Sequence, residues 1–385
     1  VLSAGRCCRC FEDALFMAEG EEKMSCLENP VMPCAMTGAC AVLSGFAGLS
    51  VVIHGSSGCY YYPRSILRTH LHSTYLLESE IVFGTVDRLQ EVVSSLEAEG
   101  KPVAVVNTCI PALTGEDLAN AFSGTDAVFV DSPGFSGNAE AGVKAAYDAL
   151  NIQCADVSAV NIDGICGLDL FARGNLHEAQ RMLAVLGIPV RLSLAADSYA
   201  KLREGAAPYS VSANPAWDSG VGENLGSFLF PDIKETLSAL EHRFPDADYA
   251  ALEAEWKKAD ETMFHYADKY LHKYTPPVAA VAGMKSYCRF AEQMLTRYFG
   301  SDIAVSLPRE EITDYTEITE KISAAEPDII IGSTFEASAA DAAFFGLTHP
   351  DRSRISMSAR AVSGIEGGVM FLEGVLNALM DFQKR

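Results

Sequence analysis

Beyond residue 45 the chain alternates between short unbroken apolar runs and longer amphipathic stretches. LSVVIHG (49–55), KPVAVVNT (101–108), DAVFVDSP (126–133), VSAVNIDG (157–164) and PVRLSLA (189–195) are apolar runs, most of them closing on small, polar or glycine residues. DRLQEVVSSLEAEG (87–100) and NLHEAQRMLAVLG (175–187) place apolar residues at helical spacing. Continuous apolar strands separated by helices predict parallel, doubly wound sheets, because both faces of such sheets are covered. The stretch 232–274 is predicted mostly helical with a break at Pro245, and PPVAAVAGM (276–284), SDIAVSLP (301–308) and EPDIIIGS (326–333) restart the strand pattern. ASAADAAFF (337–345) predicts a packed helix of small residues. The expectation is an α/β chain of repeated Rossmann-like doubly wound parallel-sheet domains with a helical N-terminal segment. Its divisions are a cysteine-rich segment 1–45 and domains 46–155, 156–275 and 276–385.

Composition narrows the function classes. The chain has 385 residues, 49 % of them hydrophobic, enough for several packed cores. Its 29 basic and 51 acidic residues give a formal charge of −22. That is the wrong sign for a nucleic-acid binder, which must offer cations to phosphates. The acidic excess suits solubility or the steering of a basic protein partner. No apolar run is long enough to span a bilayer. The opening VLSAGRCCRC lacks the basic and apolar segments of a signal peptide, so the expected location is the cytoplasm.

Cysteine placement adds chemistry to this picture. Of eleven cysteines, Cys7, Cys8, Cys10, Cys26, Cys34, Cys40 and Cys59 fall in the first sixty residues. In a reducing compartment these are expected to be thiols or metal ligands rather than disulfides. Cys59 follows His54 and a Gly-Ser-Ser-Gly turn ending in Gly58, at the end of a strand. Cys109 follows the strand KPVAVVNT, and Cys34 follows Pro33 in MPCAMTGAC. Strand ends that lead into helix N-termini favour the thiolate form. Thiolates so widely spaced do not form a zinc knuckle, and they suit an iron–sulfur cluster. Three per chain is too few for a [4Fe–4S] cubane alone, whereas a two-fold dimer doubles the set, so the cluster is expected at a subunit interface. Cys288 and Cys154 are expected to be buried small hydrophobes, and Cys166 sits in a glycine loop after a strand. Cys7, Cys8, Cys10 and Cys26 are either incidental thiols or a small metal site. His54 is expected to hydrogen-bond the cluster loop. No acid–base pair stands out.

Taken in order, PCAMTG (33–38), IHGSSGCYYYPR (53–64), EIVFGTVDRLQEVV (80–93), NTCIPALTGEDL (107–118), DSPGFSGN (131–138) and PDIIIGSTFEASAA (327–340) resemble the nitrogenase component 1 family. That family also holds the catalytic subunits of dark-operative protochlorophyllide reductase and the reductive cyclase subunit of nickel tetrapyrrole synthesis. The resemblance implies that Cys34, Cys59 and Cys109 bind an interfacial cluster, either [4Fe–4S] or the eight-iron [8Fe–7S] P-cluster. It implies structural roles for Gly134, Phe135 and Gly137. It also implies an identical or homologous partner subunit, and electrons from an ATP-dependent iron–sulfur protein like nitrogenase reductase.

The departures narrow what the resemblance carries. Nitrogenase holds its iron–molybdenum cofactor through one cysteine and one histidine, but 193–220 contains no cysteine and 354–368 no histidine. The expected activity is therefore an iron–sulfur oxidoreductase other than a dinitrogen reducer, with a tetrapyrrole substrate or a second metallocofactor in a cleft between domains. The alternatives are a metallocluster assembly scaffold, a reductive tetrapyrrole-modifying enzyme, and a metal-free two-lobed small-molecule binder.

Overall fold

The structure, a computed structural model, describes residues 33–122 and 125–384. Cys7, Cys8, Cys10 and Cys26 lie outside the described residues. Two compact units emerge: the described residues up to Ile152 together with Ala195–Glu204, and Gln153–Leu194 with Gly205 onward.

The first unit is built on a parallel sheet of β1 (Ser50–His54), β2 (His72–Ser73), β3 (Val103–Asn107) and β4 (Val128–Asp131), in the order β2-β1-β3-β4. Every residue of β1 and β3 is buried, as expected of central strands covered on both faces. The helix Val86–Ala98 contributes Leu89, Val93 and Leu96 to the core against Val52, Val103 and Val105. On the first unit the helices Ala35–Leu43 and Ala139–Leu150 cross closely. A Cβ on Gly38 would overlap the carbonyl of Ala139, and one on Gly142 would overlap the carbonyl of Ala35. Two glycines thus let two backbones touch.

The second unit holds two further sheets. One contains β5 (Val160–Asp163), β6 (Val190–Ser193), β7 (Tyr209–Ser212) and β8 (Glu223–Ser227) in the order β6-β5-β7-β8. The other contains β9 (Ala279–Gly283), β10 (Ile303–Pro308), β11 (Ile329–Gly332) and β12 (Ala343–Gly346) in the order β10-β9-β11-β12. All their pairings are parallel. The three sheets therefore share one strand order, a repeat of topology that no sequence repeat announces.

The expected helical stretch 232–274 forms as Ile233–Arg243 and Tyr249–Leu271, interrupted around Pro245. The expected helix over 337–345 is not observed. Glu336–Ser338 makes one short 3-10 turn, and Ala343–Gly346 is an edge strand paired with β11. Small residues fit either state, and pairing with the apolar run Ile329–Ile331 decides for the strand.

Candidate metal centre

Three cysteines open three helices of the first unit. Cys34 is the N-cap of Ala35–Leu43, Cys59 lies in the first turn of Ser57–Leu67, and Cys109 starts Cys109–Thr114. β1 and β3 are neighbours at the point where the strand order reverses. Their carboxyl ends deliver Cys59 and Cys109 to the crevice where doubly wound sheets take ligands. Cys34 arrives by another route. The Gly38–Gly142 crossing holds its helix against the 134–138 loop, where Ala35 N donates to Gly137 O (3.0 Å) and Cys34 bridges Asn138. Gly137 has φ +146°, a conformation that glycine adopts without strain.

The result is convergence of two thiols on Gly134. A Cβ there would lie 3.1 Å from Cys109 Sγ and 3.3 Å from Cys34 Sγ, so any side chain would press on both sulfurs. Gly134 N donates to Cys109 Sγ at 3.1 Å. All three cysteines are half-buried. A fourth, Cys40, is fully buried behind them; burial, then the nearby Cys34 and Cys59, push its thiol well up. Nothing in the local sequence distinguishes Cys40, and its helical spacing from Met36, whose Sδ it contacts at 3.9 Å, marks it as packing. The expectation that helix starts favour the thiolate fails at Cys109. Burial raises its pKa, and the charge of Cys34 adds to this, against backbone N–H donors from Phe135 and Gly134. Among the described residues no group of three or more His, Cys, Asp or Glu is close enough to hold a metal ion.

Behind the thiols the loops are tied together by hydrogen bonds. Thr108 Oγ1 donates to His54 O (2.7 Å), joining the ends of β1 and β3, and a Cβ on Gly55 would overlap Thr108. The buried His54 ring meets Thr74 Oγ1 through Nδ1 (3.2 Å) and Thr85 Oγ1 through Nε2 (2.9 Å). Thr85 in turn donates its hydroxyl and its N–H (2.7 Å) to Glu116. Burial pushes the His54 pKa down to about 4, against the pull of Glu116, so the ring is neutral at physiological pH. Gly58 lies half-buried in the first turn beside Cys59.

The model of the Nitrogenase component 1 type Oxidoreductase family matches residues 34–220, the span that contains all three cysteines. The nitrogenase molybdenum-iron protein beta chain of Sinorhizobium fredii is 28 % identical over 187 residues, 42 % of this chain and 36 % of that protein. The nitrogenase iron-molybdenum cofactor biosynthesis protein NifE of Clostridium pasteurianum is 31 % identical over 184 residues, 43 % of this chain and 40 % of that protein. The chain thus spans little more than a third of the length of the curated relatives it matches. A solved structure, "Nitrogenase Cp1 at pH 6.5", superposes with a TM-score of 0.71 at 16 % identity, covering 92 % of this chain and 93 % of that one. Residues 34–220 of this chain thus match the nitrogenase component 1 family, and the chain as a whole shares the fold of the solved structure.

The second unit carries a polar site at the equivalent strand ends. Asp163 ends β5 and accepts from Gly164 N (2.7 Å), Ser219 N (3.0 Å) and Ser219 Oγ (2.6 Å). Asp218 accepts from Ser212 Oγ and from Asn224 Nδ2 (2.8 Å). Burial, then the charge of Asp163, push the Asp218 pKa up to about 7; burial also raises that of Asp163. Asp169, half-buried with its pKa also raised by desolvation, accepts from Tyr287 Oη (2.6 Å) and Asn214 Nδ2 (2.9 Å). No local pattern marks Asp163 and Asp218 as a pair, because they meet only through the β5–β7 pairing. Cys288 and Cys166 are buried, whereas Cys154 is exposed, contrary to expectation, because it lies in the connection before β5. Among the described residues no helix is long and apolar enough to cross a membrane.

Proposed function

We propose that this chain is the substrate-reducing component of a nitrogenase-like oxidoreductase. In this reading Cys34, Cys59 and Cys109 hold an iron–sulfur cluster, [4Fe–4S] or [8Fe–7S], shared with an identical or homologous subunit. The observation that carries it is the convergence of Cys34 and Cys109 on Gly134, where the absence of a Cβ leaves both sulfurs free of a side chain. The donors fit the group: they are thiols alone, on three separate helix starts, half-buried, and too few to close a single-ion site. The Cys59 and Cys109 loops and the 134–138 loop each carry an exposed apolar side chain, Tyr61, Leu113 and Phe135, as a surface completed by another subunit would. When bound, the cluster supplies one-electron transfer, with electrons from an ATP-dependent iron–sulfur protein. The chain's own residues do the positioning. Gly134 N donates to sulfur, and Thr108 clamps the two strand ends. Neutral His54 holds the Thr74 and Thr85 loops without adding a charge.

With no cysteine in 193–220 and no histidine in 354–368, the reading excludes dinitrogen reduction at an iron–molybdenum cofactor. A second reading, a scaffold on which a metallocluster is assembled, draws support from the similarity to NifE, which is as strong as that to the beta chains. The test is anaerobic purification with iron and sulfide analysis and EPR, on the native chain and on Cys59→Ala and Cys109→Ala separately. About four or eight irons per dimer, lost in both variants, is the expected result. Iron content indifferent to both substitutions overturns the cluster. Release of the iron to an acceptor protein, without turnover, decides for the scaffold.

A further inference from the structure

The carboxyl edge of the third sheet carries positive charge that the chain does not neutralise. After β12 the chain folds back over the strand ends. Thr334 N donates to Pro350 O (2.9 Å), and Arg352 N donates to Thr334 Oγ1 (2.6 Å). Beneath this loop Arg309, just past β10, is buried and paired with Glu336 at 2.9 Å, and it also donates to His349 O (2.9 Å). That cation is satisfied by its carboxylate.

Arg352, Arg354 and Arg360 are not. Among the described residues none of the three has a carboxylate within ion-pair distance, and their guanidinium groups lie over aromatic rings instead. Arg354 and Arg360 sit 5.6 and 5.8 Å from the centroid of the same ring, Phe345, and Arg360 is also 5.9 Å from Phe171. Arg352 is 5.9 Å from Phe335. Asp351, which acts on Arg360 from a distance together with Glu373, is taken up by Ser353 N (2.9 Å) and Ser353 Oγ (2.6 Å). Burial, then the like charge of Arg354, lower the Arg360 pKa from its usual value. Ile355 and Met357, 95 % and 100 % exposed, show that the tip of the loop is not packed down over these groups.

Two guanidinium groups held against one ring repel each other, and partial burial makes the repulsion costlier. The aromatic faces fix their positions without removing their charge. An arginine fork matches carboxylate and phosphate oxygens in pairs, and doubly wound sheets take ligands beyond their carboxyl ends. We propose that Arg354 and Arg360, with Arg352 at the rim, bind a small molecule bearing at least two carboxylate or phosphate groups. This site stands on the second unit and does not depend on the cluster reading.

The test is calorimetric titration of the full chain with citrate and, separately, with pyrophosphate, at constant ionic strength; the two probes distinguish the sources of the oxyanion. Saturable 1:1 binding of at least one probe is expected, weakened at least tenfold in Arg354→Gln/Arg360→Gln and unchanged in Arg203→Gln, an exposed arginine of the first unit. Arg354→Gln alone changes only an exposed side chain and carries the test if the double variant unfolds. Binding of neither probe, or equal affinity in the variants and the native chain, overturns the proposal.

Discussion

The ends of β1 and β3 in the first unit and the ends of β5 and β7 in the second occupy the same place in the same strand order, yet they hold opposite chemistry. The first gathers thiols around a glycine and keeps its buried histidine neutral. The second gathers carboxylates whose burial raises their pKa values, so that they resist ionisation. The sheet determines where a site forms, and the loop residues determine what it does. In the first unit the helix that carries Cys34 is set by backbone-to-backbone contact at Gly38 and Gly142, in addition to the hydrogen bonds of Thr108 and His54. In the second the loops are held by side-chain hydrogen bonds to Asp163 and Asp169.

That difference is open to attack from both sides. The largest effect is expected from Gly142→Val, which forces the Ala35–Leu43 helix off its neighbour. It should destabilise the first unit by on the order of 4 kcal/mol and separate Cys34 from Cys109. Hydrogen exchange at the β1 and β3 amides reads the first loss, and failure of a short bifunctional thiol reagent to bridge the pair reads the second. Both tryptophans, Trp217 and Trp256, lie in the second unit, so their fluorescence transition should stay put. A matching shift in both units would end the contrast.

The next effect concerns pH. A histidine whose pKa falls from 6.5 unfolded to about 4 folded contributes stability that is complete above about 6.5 and lost as pH falls towards 4. The first unit should lose about 3 kcal/mol across that window, and His54→Gln should flatten the profile. Equal slopes in native and variant chains would remove His54 from the account.

The smallest effect has the opposite sign. Asp218, with its folded pKa raised from 3.8 to about 7, contributes stability that is complete below about 3.8 and lost as pH rises through 7. Asp218→Asn should therefore raise the tryptophan-monitored stability at pH 8, by only about 1 kcal/mol because the amide loses acceptor capacity towards Ser212 and Asn224 as it relieves the buried charge, with the gain vanishing near pH 4. A variant less stable than the native chain at pH 8 would contradict the raised pKa.

Much of this architecture is legible in the chain. Central parallel strands are covered on both faces, so β1, β3, β9 and β11 stand out as apolar runs, and β5 (VNID) as one broken by Asn161. β7 (YSVS), β8 (ENLGS) and β12 do not, because edge or polar strands carry no such signal and depend on their neighbours. The strand-end positions of Cys59 and Cys109 follow from local sequence alone. The approach of Cys34 to Cys109 does not, since it depends on Gly38 and Gly142, about a hundred residues apart. Asp163 and Asp218 are invisible as a pair for the same reason: register between distant strands brings them together, and no local pattern encodes it.

Ala195–Glu204 leaves the second unit between β6 and β7 and completes the first. Ala47 N donates to Asp197 O (3.0 Å), Tyr199 N donates to Ala47 O (2.9 Å), and a Cβ on Gly45 would overlap the carbonyl of Ala195. Order of synthesis then matters. The unit that carries the cysteines waits for a clasp made some fifty residues after its last helix, by which time β5 and β6 have already emerged from the ribosome. On a growing chain the three cysteines are therefore made well before the segment that completes their unit.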